Sequence, residues 1–197
     1  VYARLFDGTN YGDEASVEIL DNAKPTAPAI NITSGTPGNN NYYKSDITVT
    51  ITAGSDNESG ADKIRYSVSG AQTVGETTTA SGTTTANITI TADGPSTITA
   101  YTIDKAGNVS EEKIQVVNKD STAPSTASLA VASFDETSIT VQASGADATS
   151  GIYSYEFQRS TTSATTGFTT VETKISTASS YDYPYTGLTA GTTYYLR

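Results

Sequence analysis

A short element of this chain occurs twice: Lys24-Pro25-Thr26-Ala27-Pro28 returns as Asp120-Ser121-Thr122-Ala123-Pro124, with the final prolines 96 residues apart. Proline forces the residue before it into an extended conformation and donates no backbone hydrogen bond, so each copy is a linker. The segments upstream of the two linkers also match. Val1 to Asp7 and Ile98 to Asp104 are both strands that end in Asp at a turn, continued by Gly8-Thr9-Asn10 and by Lys105-Ala106-Gly107-Asn108. Each then enters a second alternating run, Ala15 to Leu20 and Lys113 to Val117, which makes a hairpin. Tyr195-Leu196-Arg197 begins a third copy, matching Tyr2-Ala3-Arg4. Asp56-Asn57-Glu58-Ser59-Gly60 before Ile64-Arg65-Tyr66 matches Asp147-Ala148-Thr149-Ser150-Gly151 before Tyr155-Glu156-Phe157, at a constant offset of 91. The chain therefore divides into residues 1–24, the last two strands of one module; residues 25–120, a complete module; and residues 121–197, a module that stops in its sixth strand. The third module is expected to expose a core face and an unpaired edge, and residues 1 to 20 have the pattern of a substitute.

Within one period the apolar residues alternate. Ile47, Val49 and Ile51 share one face of a strand and Thr48 and Thr50 the other; Ile139 and Val141 repeat this in the next module. Residues 64–68, 86–92 and 97–103 follow the same rule, separated by turns such as Ala92-Asp93-Gly94-Pro95. No segment has apolar spacing of 3.6. About seven short strands in each period predict an all-β chain of tandem immunoglobulin-like or fibronectin type III-like β-sandwiches. The expected inward set of the complete module is Ile47, Val49, Ile51, Ile64, Tyr66, Ile88, Ile90, Ile98 and Ile103. With 36% hydrophobic residues, its cores must be thin.

Leu188-Thr-Ala-Gly-Thr-Thr-Tyr-Tyr-Leu-Arg197 resembles the Leu-x-x-Gly-Thr-x-Tyr stretch that enters strand F of fibronectin type III modules. The resemblance implies that Tyr194 is the corner tyrosine whose hydroxyl bonds back to the backbone. Ser138 to Val141 and Ile152 to Phe157 resemble strands B and C of that family, although Ala143 stands near where the family usually has Trp. The central module is similar instead to bacterial Ig-like modules with a Tyr-x-x-Asp-x-Ala-Gly-Asn signature, here Tyr101 to Asn108. These resemblances cover nearly the whole chain and imply fold rather than ligand.

Residue types exclude much chemistry. With no Cys and no His there is no Ser-His-Asp or Cys-His nucleophile, no ordinary zinc or haem site and no disulfide framework. A formal charge of −10 repels nucleic-acid phosphates. No run approaches the 18 or so apolar residues of a membrane span. The adjacent carboxylates Asp13-Glu14 and Glu111-Glu112 point to opposite faces of a strand and cannot flank one glycosidic bond. The chain is accordingly read as no enzyme and as needing no cofactor other than, at one place, a cation.

That place follows from strand parity. In a seven-strand module, turns after even-numbered strands fall at the end where the chain enters, so Asp56, Glu58 and Asp104 should face Asp21 in the linker. Converging oxygens of this kind suit Ca²⁺, and the same residues are also what tight turns require. The next joint has Asn118, Asp120 and Asp147. Tyr181, Tyr183 and Tyr185, in a Pro-containing segment, are the candidate partner-binding rings, for a surface glycan or a protein. These features point to a non-catalytic stalk or adhesin segment of a secreted bacterial cell-surface protein, extracellular, with neighbouring modules as partners. The alternatives are a strand-donating subunit of a self-assembling extracellular filament, or an accessory module of a carbohydrate-active enzyme or a phage tail fibre.

Overall fold

A computed structural model describes residues 2–16, 20–125 and 127–197; Val1 and much of the expected strand Ala15 to Leu20 lie outside the described residues. Among the described residues every regular element is a strand. The first half of the chain gives β1 (Tyr2–Phe6), β2 (Tyr11–Ser16), β3 (Ala29–Ser34), β4 (Tyr42–Tyr43), β5 (Ile47–Thr52), β6 (Ala61–Gly70), β7 (Val74–Thr78) and β8 (Thr85–Ile90). The second gives β9 (Gly94–Asp104), β10 (Lys113–Lys119), β11 (Ser128–Phe134), β12 (Ile139–Ser144), β13 (Ser154–Ser160), β14 (Thr169–Ile175), β15 (Ser180–Tyr185) and β16 (Tyr195–Leu196). Contacts group them into two compact units, one of Val1–Ser34, Thr48–Ile90 and Ser96–Val117, the other of Gly35–Ile47, Thr91–Pro95 and Asn118–Arg197.

The first unit contains the antiparallel hairpin β1-β2 and two facing sheets, ordered β3-β5-β8 and β10-β9-β6-β7. Its core is the inner face of those strands. Val49, Ile51, Ile64, Ile90 and Ile98 are fully buried, with Ile88, Val68 and Val117 beside them; each such side chain contributes roughly 2 kcal/mol of transfer free energy. Ile47, assigned to the other unit, is also fully buried on its strand. Two expected core residues differ. Tyr66 is half-buried, and Ile103 is only half-buried because it lies on the opposite face of β9 from Ile98, Ala100 and Thr102. Ile103 lies five positions after Ile98, an odd offset, so an unbroken strand cannot turn both inward.

In the second unit the three-stranded sheets β11-β12-β15 and β14-β13-β16 enclose Val141, Ala143, Tyr155, Phe157, Tyr185 and Leu188. The sheet orders of both units are those of an Ig-like or fibronectin type III-like β-sandwich. The Thr189 amide donates to the Tyr194 hydroxyl at 3.1 Å, the corner contact expected of that tyrosine. β4 pairs in parallel with Asn118 and Lys119 of β10. Beside this pair the Lys119 side chain is buried and donates to Asp93 at 2.7 Å.

Candidate functional site

The site is assembled by one turn and one linker. Asp56 accepts on a single oxygen, Oδ1, from the amides of Glu58, Ser59 and Gly60 at 3.0, 2.9 and 2.8 Å. Short acidic side chains close turns on themselves in this way, and Gly60 at φ 82° supplies the left-handed residue that ends the turn. The linker docks on that turn. Asp21 accepts from the Ser59 amide through Oδ2 at 3.1 Å and from Ala23 through Oδ1 at 2.9 Å, and the Thr26 amide donates to the Ser55 carbonyl at 2.9 Å. Gly54 makes the approach feasible, since a Cβ there would stand 2.1 Å from the Thr26 carbonyl oxygen.

Asp104, 2% exposed at the end of β9, accepts from the Asn108 amide and from Asn108 Nδ2, at 2.8 and 2.9 Å. Asn108 Nδ2 also donates to the Asp21 carbonyl at 3.1 Å. Asp21, Asp56 and Asp104 thereby bring one carboxylate oxygen each within 4.8 Å of one another. Glu58 lies against this group: contact with the Asp21 carboxylate, its charge and that of Asp56 raise the Glu58 carboxyl above its ordinary value. Asp21 is held below its own, first by the Ser59 side chain beside it. The four acidic residues anticipated from strand parity are therefore neighbours in space. Like charges at this range raise each other's ionisation cost, which either a proton on Glu58 or a bound cation relieves. The clamp by Asn108 was not anticipated, although the Asp104-to-Asn108 turn in the repeat is where it originates.

The second unit contains the same linker lock. Asp147 Oδ1 accepts from Thr149, Ser150 and Gly151 at 3.0, 2.8 and 3.0 Å, and Gly151 has φ 75°. Asp120 accepts from the Ser150 amide at 3.1 Å and from Thr122 at 3.0 Å, while the Ser125 amide donates to the Ala146 carbonyl at 2.7 Å. Every backbone-amide bond of Asp21, Asp56 and Thr26 named above has its counterpart here, whereas the contacts with Asn108, Asp104 and Glu58 belong to the first lock.

Tyr181, Tyr183 and Tyr185 do not form the surface patch expected of them. They alternate along β15 on its inner side: Tyr185 is 1% exposed, Tyr183 stacks on Phe157 at 4.4 Å between ring centroids, and Tyr181 packs against Tyr155 and Phe157. Pro184, the proline of that segment, occupies an edge strand opposite Thr140, on the outward face where a proline is tolerated.

No protein-family model matches the chain, and no curated protein matches it in sequence. Similar solved structures include the chitinase ChiA74 from Bacillus thuringiensis, at 17% identity and a TM-score of 0.35 over 92% of this chain and 30% of that one. The fibronectin(III)-like modules of Clostridium thermocellum CbhA give 17% and 0.35, over 85% of this chain and 91% of that one. The FN1–FN3 domains of chicken CNTN1 give 13% and 0.29, over 88% and 58%.

Proposed function

We propose that the chain is a non-catalytic run of modules in an extracellular surface protein, a spacer whose linkers are locked onto the modules that follow them, with Ca²⁺ completing the first lock. The observation that supports this reading is the lock built twice, with the same backbone-amide bonds made at Asp21, Asp56 and Thr26 and again at Asp120, Asp147 and Ser125. A tandem period, proline linkers and an acidic chain rich in Thr and Ser favour an extracellular setting. Glycan binding through Tyr181, Tyr183 and Tyr185 loses its support, because those rings are spent on the core.

Calcium fits the first lock because it takes six to eight oxygens in loose geometry, and Asp21, Asp56, Glu58 and Asp104 offer carboxylates from a turn, a strand end and the linker. The test is a calorimetric titration of the whole chain with Ca²⁺. Binding of one ion, a higher thermal midpoint reversed by EDTA, and at least about tenfold weaker binding in Asp104→Asn are the expected results. No heat and an unmoved midpoint would remove calcium from the account.

A further inference from the structure

The second compact unit does not stop at the repeat boundary. It takes in Gly35–Ile47 and Thr91–Pro95 of the central repeat together with Asn118–Arg197. Neither segment supplies a strand to the sheets β11-β12-β15 and β14-β13-β16. What they touch is the linker and the turn on which it docks.

The segment Thr91–Pro95 holds the linker through one side chain. Asp93 accepts from the Ser121 amide at 3.1 Å, from the Ser121 hydroxyl at 3.0 Å and from the Thr122 hydroxyl at 3.0 Å. The buried Lys119 ammonium donates to Asp93 at 2.7 Å and to the Ser121 hydroxyl at 3.0 Å, with Asp46 at 3.5 Å on its outer side. One ammonium between two carboxylates is an attraction that needs no added cation, unlike the converging carboxylates of the first lock.

The segment Gly35–Ile47 acts on the turn. Its hairpin tip is closed by the Gly38 amide on the Tyr42 carbonyl at 2.7 Å and the Tyr42 amide on the Asn39 carbonyl at 3.0 Å. Asn40 at φ 53° and Asn41 at φ 61° are both left-handed, a conformation that asparagine tolerates better than most side chains. Just past this tight tip, the Tyr42 hydroxyl donates to the Thr149 carbonyl at 3.0 Å, and the Tyr43 carbonyl accepts from the Asp120 amide at 2.8 Å. Thr149 belongs to the same turn that Asp120 grips through the Ser150 amide.

We infer that the second linker is clasped from both sides, by Asp93 and the Tyr42 hairpin behind it and by the Asp147 turn ahead, so that this joint is rigid without a metal ion. The inference rests on the reading of the linkers as locks and adds that this lock has a second jaw. Lys119, Asp120, Ser121 and Thr122 are four consecutive residues, each tied by its side chain, its amide or both. Rotating the backbone anywhere among them breaks one of these bonds, so the joint opens by losing them together rather than by gradual bending. Withdrawal of calcium then loosens the first lock and leaves this one closed.

The chain has no cysteine, so spin labels can be placed at two chosen exposed positions of this unit, Lys44→Cys and Thr173→Cys, and their separation read by pulsed electron spin resonance. One narrow distance, of the same width in Ca²⁺ and in EDTA, is expected. Tyr42→Phe removes a single hydroxyl and should raise the fraction of molecules outside that distance at least about threefold, with Asp93→Ala doing at least as much. A width unchanged by either substitution, or one narrowed by Ca²⁺, would overturn the inference. If Asp120→Ala still broadens the distribution in that case, the locked-linker reading survives. A broad distribution in the chain carrying the labels alone would remove both.

Discussion

At the scale of single residues, Lys119 and Asp93 show how a thin core accommodates charge. Lys119 is 4% exposed, and its ammonium is matched by Asp93 at 2.7 Å and by the outer Asp46 at 3.5 Å. Asp93 also accepts from the Ser121 amide and from the hydroxyls of Ser121 and Thr122. Lys119 foremost, with these donors, pulls the Asp93 carboxyl from 3.8 down to about 2. A carboxyl whose folded value is depressed stabilises the fold above its unfolded value, and that contribution is lost as pH falls through the folded one. Stability should therefore drop between about pH 4 and pH 2 in urea denaturation. Asp93→Asn should cost about 2 kcal/mol at neutral pH, below the range for a fully buried pair because Asp93 is a quarter exposed, and should flatten that slope. Nothing local in the sequence announces this pair, since 26 residues separate its members. Asp21, Asp56 and Asp104 were legible despite comparable separations, because strand parity sends their turns to one end.

At the scale of elements, alternation carried most of the reading. Ile47, Val49 and Ile51 are inward as their spacing requires, and Ile103 failed only where residue type was allowed to outweigh parity. Tyr181, Tyr183 and Tyr185 failed in the same way, their spacing of two being the signature of an inner strand face that Pro184 obscured. The linkers provide a contrast that sequence alone could not show. Gly54 and Gly145 precede the two matching turns, yet a Cβ at Gly54 would collide with the Thr26 carbonyl, while one at Gly145 meets nothing nearer than 3.8 Å. Gly54→Ala should push the linker off its turn and cost about 1–3 kcal/mol by overpacking. Gly145→Ala should change stability by less than about 0.5 kcal/mol. Chemical denaturation of the two variants side by side measures the difference, and equal effects would mean that the first linker is not held.

At the scale of the whole molecule, each linker is bonded to the first turn of the sandwich that follows it. Both are proline-containing segments of the composition that loops and flexible connectors share, and each is nevertheless bonded to its turn through an Asp side chain and a backbone amide. The repeat made the existence of the joints legible; the docking was not, because it depends on amides of Thr26 and Ser125 that carry no side-chain signature. Amide hydrogen exchange at these two residues tests the claim most directly. Protection of both by at least about a hundredfold over an unstructured peptide is predicted, with Asp21→Ala releasing Thr26 and leaving Ser125 protected. Exchange of both amides at the unstructured rate in the unaltered chain would contradict it.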